Sequence, residues 1–250
     1  MPPPPPPSPP PPPPFALGIE TSNPSAGSGV VVAERSGGGV WAERARADLG
    51  PTRRHDDALV RLIDSACRSA GVRPRGLGRV AVSAGPGGFS AVRIAIATAQ
   101  MIAEAGGSAC VGVPTDAALT RRAAPPADEH AELVVCLGWK RDDAWASRWT
   151  PASGGSAAGW TLAAGGAVAP IDELAAAAPG RVLVCDHRLA AVLRERSARP
   201  ADLVIEPPCF DPLAVLEASE AVEPVDPASL LPIYPREPEA VSKWRRLHGR

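Results

Sequence analysis

Glu20-Thr21-Ser22 follows the apolar run Leu17-Gly18-Ile19. A carboxylate and two hydroxyls at a strand end could hold a metal-bound water or activate a nucleophile. The same residues also suit a plainer task, starting a turn and capping it. Gly85-Pro86-Gly87-Gly88 stands directly before a helical pattern. Free amides at a helix start favour an anion, so this loop could cradle a phosphate. It lacks the P-loop lysine and the G-x-G-x-x-G spacing, and its glycines would equally serve close strand–helix packing. Glu20, Thr21, Ser22, Gly85, Gly87 and Gly88 are thus the candidate nucleotide contacts.

The remaining reactive side chains are dispersed. His55-Asp56-Asp57 sets one imidazole beside two carboxylates at the start of a helical stretch, a pattern suited to capping. His130, His187 and His248 are isolated in sequence, so no metal site is expected. Cys67, Cys110, Cys136, Cys185 and Cys209 are spread singly, which suits free thiols in a reducing compartment. None has a histidine partner in its own segment, which argues against a thiol nucleophile. The basic end, Lys243–Arg250, could touch RNA phosphate or remain a solvated tail, with Trp244 as an anchor for the arm before it.

The whole chain, 250 residues with a net charge of −1 and 21% charged residues, offers no electrostatic case for wrapping nucleic acid. No apolar run reaches membrane-spanning length and no basic-then-apolar leader opens the sequence, so a soluble cytoplasmic protein is expected.

Residues 1–14 are almost all proline and read as a polyproline tail outside the fold. Strands are expected at Phe15–Glu20, Gly29–Arg35 and Val40–Ala45, then an amphipathic helix over Arg53–Ala70. Val80–Ala84 reads as a strand, 91–105 as a helix with Ser90 as its cap, Ala109–Val113 as a strand, and 115–123 as a short helix. After Pro125-Pro126 the order returns: strands at Leu133–Leu137, Ala144–Trp149 and Trp160–Val168, and a helix at Ile171–Ala177. Val182–Cys185 (strand), His187–Arg196 (helix), Leu203–Ile205 (strand) and Pro212–Ala221 (helix) complete it. Two meanders, each followed by alternating helices and strands, imply a duplicated α/β unit. The expected parts are a tail at 1–14, lobes at 15–124 and 125–230, and an arm with a short basic helix at 231–250.

The 91–105 helix has few polar side chains: Arg93, Thr98, Gln100 and Glu104. A helix so apolar needs cover on two sides. Ala91, Ala95, Thr98, Ala99, Ile102 and Ala103 make a largely small-residue surface that allows close approach, and the second cover could come from another layer of this chain or from a partner.

Three blocks carry a resemblance to the TsaB (YeaZ) family, the non-catalytic relatives of TsaD. Leu17-Gly18-Ile19-Glu20-Thr21-Ser22 resembles that family's opening strand, which usually ends in Asp-Thr-Ser. Gly85-Pro86-Gly87-Gly88-Phe89-Ser90-Ala91-Val92-Arg93 is similar to its Gly-Pro-Gly-Ser-Phe-Thr-Gly-Leu-Arg loop. Pro232-Ile233-Tyr234-Pro235-Arg236, followed by Trp244, is similar to its Pro-x-Tyr-Leu-Arg ending, and His55 fits as well. Glu20, Gly88 and Ala91 depart from the usual Asp, Ser and Gly. Gly138-Trp139-Lys140 stands where the second lobe usually has Asp-x-Arg, and Trp145 replaces a Tyr.

The resemblance implies an actin/hexokinase-like (ASKHA, RNase H-like) fold with a degenerate second lobe. It implies a scaffold without catalytic residues or resident cofactor, in the machinery that makes threonylcarbamoyladenosine in tRNA. Pairing of the helices at 53–70 and 91–105 with TsaD or with a second copy is implied, through Leu59, Leu62, Ile63, Ala66, Ala91, Val92, Ala95, Ala99, Ile102 and Ala103. TsaE in the assembly is implied too, with tRNA reached only through the complex, and ATP or ADP only at a shared interface. TsaD carries a two-histidine metal motif on the helix of His55, and no second histidine stands at helical spacing here. The competing expectation is an actin-fold kinase or acyltransferase acting on nucleotide in its own right.

Overall fold

Leu17-Gly18-Ile19 lies in β1 (Phe15–Asn23), the central strand of the first sheet. The computed structural model describes residues 13–23, 27–37, 39–49, 55–152, 159–178, 180–236 and 239–249. β2 (Gly27–Arg35) pairs antiparallel with β1, and β3 (Trp41–Asp48) with β2. After α1 (His55–Ser69), β4 (Leu77–Gly85) joins the other side of β1 in parallel. α2 (Phe89–Gly106) then leads to β5 (Ala109–Pro114), parallel to β4, and to the short α3 (Thr115–Thr120).

The second lobe repeats this plan. β6 (Leu133–Lys140), β7 (Asp143–Pro151) and β8 (Trp160–Pro170) form the meander, followed by α4 (Ile171–Ala177), β9 (Val182–Val184), α5 (His187–Arg196) and β10 (Val204–Glu206). The strand orders are β3-β2-β1-β4-β5 and, read in the same sense, β8-β7-β6-β9-β10. The two orders correspond strand for strand, as the duplicated actin-like α/β fold requires.

The centre of the first sheet is covered on both faces, which is why β1, β4 and β5 carry continuous apolar runs. Leu17 and Ile19 of β1, with Val80 and Val82 of β4, pack under α1 and α2. Ala16, Val31, Ala81 and Val111 pack on the opposite face against α6 (Pro212–Ser219). Gly18 shares that face, and a Cβ there would stand 2.3 Å from the Pro212 carbonyl oxygen. Only glycine admits α6 at this separation.

This layering corrects the expected partner surface. Leu59, Ile63 and Ala66 of α1 and Ala91, Val92, Ala95, Ala99 and Ala103 of α2 are buried in the chain itself. All but Ala91 are grouped in one core with the sheet. Leu62 and Ile102 are only partly covered. The polar residues of α2 do not share one solvent face: Arg93 and Glu104 are exposed, whereas Thr98 is buried. Gln100 Nε2 donates to the carbonyls of Pro227 at 2.7 Å and Leu230 at 3.1 Å, so Gln100 faces the chain's own returning segment.

The boundary at 125–230 is likewise corrected, because α6 and Leu230 pack on the first lobe. Three arginines of that lobe secure the return. Arg46 and Arg122 hold Asp211 at 2.9 and 2.6 Å, and Arg35 holds Glu220 at 2.7 Å. The last prolines of the tail are also part of the structure, since the Arg35 amide donates to the Pro14 carbonyl at 2.8 Å. The rest of that tract, the predicted start of the first helix at Arg53 and the side chain of His55 lie outside the described residues. α7 (Glu239–His248) is the last described helix.

Candidate functional site

The strand end that could have carried chemistry is enclosed by its own chain. Glu20, Thr21 and Ser22 are all buried, Glu20 at 1% exposure. The Ser22 amide donates to Glu20 Oε1 at 2.7 Å, and Thr21 Oγ1 donates to the Ala91 carbonyl at 3.2 Å. The Gly88 amide donates to the Ser22 carbonyl at 2.7 Å. A Cβ on Gly87 would fall 2.5 Å from that same oxygen, so the glycine is required for this approach. Gly85, at φ +107°, is covered by Ile233, whose carbonyl oxygen would lie 2.6 Å from a Cβ. The Ile233 amide completes the closure by donating to the Ala84 carbonyl at 2.7 Å. The structure thus brings all six candidate nucleotide contacts together, in an arrangement that packs strand against helix.

Ser90 is not the cap of α2. Gly88 occupies that position without a side-chain hydrogen bond, and Ser90 is exposed one residue into the helix. The glycine loop carries the chain straight into Phe89, so the helix starts earlier than the serine predicted.

Burial raises the pKa of Glu20, against the opposing pull of hydrogen bonds from Ser22 and Ser83. A carboxyl that favours its proton and has no exposed face is poorly placed to hold a cation or act as a base. Among the described residues, no group of three His, Cys, Asp or Glu side chains is placed to hold a metal ion. The thiols of Cys67 and Cys185 are pushed up by burial, to about 11 and about 12, which disfavours the reactive thiolate.

Glu20 also gives the fold a pH signature. Its folded pKa lies above the unfolded one, so its contribution is fully present below the unfolded pKa and is lost as pH rises through the folded pKa. Asp211 works in the opposite sense. Burial alone would raise its pKa, but the Leu213 amide and the guanidinium groups of Arg122 and Arg46 hold it below its ordinary value. Glu20→Gln keeps an oxygen for the Ser22 amide and removes the titration. Urea unfolding at about pH 5 and about pH 7.5 should show the variant gaining stability relative to the parent at the higher pH. Parallel curves for the two proteins would refute this.

Three residues of the family-like motifs meet at the surface. The Phe89 and Tyr234 rings stack at 5.2 Å, and the Arg93 guanidinium carbon lies 5.0 Å from the Phe89 ring centre. Arg236 reaches the second lobe, donating to the Gly138 carbonyl at 2.5 Å and pairing with the Asp143 carboxylate. Ile233, Tyr234 and Arg236 therefore fasten the arm across both lobes. Trp244 does not hold it in the way expected: its ring stacks on His248 of its own helix and is half exposed.

What is open is the outer side of α1 and α2. Val60 and Met101 are 61% and 62% exposed, Ala97 is exposed, and Ile94 is partly covered. Sequence reasoning missed this strip because it placed the partner surface on the small apolar residues of the helix. Asp211, which draws two first-lobe arginines onto α6, was also missed. Its signal was the Asp-Pro pair, the cap and first residue of a helix, and Asp211 Oδ1 accepts from the Leu213 amide at 3.0 Å.

Residues 34–138, which include α1 and α2, match the model of the family described as TsaD: tRNA N6-adenosine threonylcarbamoyltransferase. A solved structure described as an uncharacterized protein with similarity to peptidase YEAZ, from Pseudomonas aeruginosa, superimposes with a TM-score of 0.68 and 22% identity, over 89% of this chain and 99% of that one. YeaZ from Pseudomonas aeruginosa superimposes with a TM-score of 0.66 and 19% identity, over 88% and 99%. The chain has the fold of YeaZ. No curated protein matches it. The YeaZ-type fold accounts for both meanders and for nearly the whole described chain. Among the described residues, no helix is long and apolar enough to cross a membrane.

Proposed function

We propose that the chain is the non-catalytic, TsaB-type subunit of the machinery that makes threonylcarbamoyladenosine in tRNA. It holds a TsaD-type threonylcarbamoyltransferase through the outer side of α1 and α2, which transfers the threonylcarbamoyl group to the adenosine beside the anticodon. The observation that carries this reading is the apolar strip of Val60, Ile94, Ala97 and Met101 on two helices whose inner sides pack in the core. The family match spans the same two helices, so a relative with the equivalent pair could supply the cover. The enclosed Glu20 cluster supports a role in surface recognition over one in chemistry. A second copy of this chain, bearing the same strip, is the other assembly this surface would allow. TsaE joins the complex, tRNA is reached through it, and ATP or ADP belongs only at a shared interface. The setting is the cytoplasm.

Co-purification with the TsaD-type protein of the same organism, followed by tRNA modification with and without this chain, tests the reading. A stable complex and modification that requires both proteins are expected. Tight magnesium-dependent ATP binding by the isolated chain would instead favour an actin-fold enzyme.

A further inference from the structure

Between the two lobes lies a pocket of about 960 Å³, on elements that the strip and the strand-end cluster do not use. Trp41 of β3, Trp149 of β7 and Trp160 of β8 line it, with Leu162 half exposed at its side. Each indole N–H is already engaged within the chain. Trp41 Nε1 donates to Glu220, Trp149 Nε1 to Ser147 Oγ and Trp160 Nε1 to the Ala124 carbonyl, each at 2.9 Å. These tryptophans therefore offer the pocket hydrocarbon surface and no free donor.

The charges around the pocket are unequally matched. Glu217 pairs with Arg122 at 2.6 Å, and Glu220 with Arg35 at 2.7 Å. Asp116 is buried at 4% exposure, and burial favours its neutral form. Arg121 also lines the pocket, and its guanidinium makes no hydrogen bond or ion pair among the described residues. Burial and the charge of Arg122 both oppose the Arg121 charge, with only the field of Glu217 in its favour. A part-buried guanidinium without a hydrogen-bonded partner costs free energy that an incoming anion would restore.

The geometry points to a binding site for a small organic anion, its carboxylate or phosphate on Arg121 and its apolar or aromatic body against Trp41, Trp149, Trp160 and Leu162. The site joins an apolar wall to a single unmatched cation, the usual composition of a small-molecule pocket. It makes no use of the α1–α2 strip and stands whether or not a partner binds there.

Calorimetric titration of the full chain with naphthyl phosphate, naphthylacetate and the neutral naphthylacetamide tests it. At least one anion should bind about tenfold more tightly than the amide, and the ranking of phosphate against carboxylate identifies the head group. Arg121→Gln should erase that preference. Leu162→Trp, made at a half-exposed position, should fill the space and weaken all three probes, whereas Met101→Glu on the distant strip should change none of them. The site is overturned if no probe binds, if the amide matches both anions, or if Arg121→Gln retains the preference. Should Arg121→Gln not fold, unchanged binding by Leu162→Trp overturns it instead.

Discussion

Met101→Glu should weaken association with the TsaD-type partner by about a hundredfold or more while leaving the isolated chain folded. Met101 is 62% exposed on the outer side of α2, so a glutamate there stays in water in the free protein. The two residues have similar helix propensity, and an exposed substitution of this kind shifts the thermal midpoint by no more than about 2–4 °C. In a complex the carboxylate would be buried against an apolar helix, which costs several times the thermal energy unless a cation meets it. Arg73 and Arg75 lie beside Met101 in the same cleft, so Ala97→Arg, which adds the opposite charge, is the companion variant. Pull-down and sedimentation with the partner, beside thermal melts of each variant alone, read the outcome. Wild-type association by both would remove the strip from the interface.

The same helix gives the opposite result on its other side. Ala99→Arg should abolish the folded state, because Ala99 is fully buried in the core with Leu17 and Ile19. Placing a guanidinium there combines overpacking with an unpaired buried charge, together more than about 4 kcal/mol against a total stability of about 5–15 kcal/mol. Circular dichroism should show no cooperative transition, and most of the variant should be insoluble. Ala95→Glu belongs to the same class. Loss of partner binding by either would report the loss of the fold, so the two faces of α2 must be tested separately. A cooperative melt for Ala99→Arg near the parent midpoint would contradict the packing described.

Where local signals were strong, sequence and structure agree closely. α4 and α5 span the residues expected, Ile171–Ala177 and His187–Arg196. A proline precedes the first, and Asp186 caps the second through the Arg188 and Leu189 amides. The duplicated strand order was legible because each meander precedes a regular alternation of periods. The orientation of α2 was not, since a helix apolar nearly all round carries little directional information. Gln100 gave no direction either, because its amide satisfies the Pro227 and Leu230 carbonyls, a demand set by a segment more than a hundred residues away. The seating of α6 was hidden in the same way, because Pro212–Ser219 is apolar enough to suit either sheet. The pocket at the lobe junction could not be read at all. Trp41, Trp149 and Trp160 are far apart in sequence and meet only through the topology.

The return of α6 has a consequence for how the molecule is made. A ribosome releases the first sheet long before it releases Pro212–Ser219, so Ala16, Val31, Ala81 and Val111 await a cover encoded far downstream of them. Order of synthesis and order of assembly run against each other. A product terminated after the first lobe would expose that bare sheet to water, and such surfaces invite aggregation or chaperone capture. The two lobes are repeats in architecture, but in biogenesis the first depends on a helix that emerges after the second.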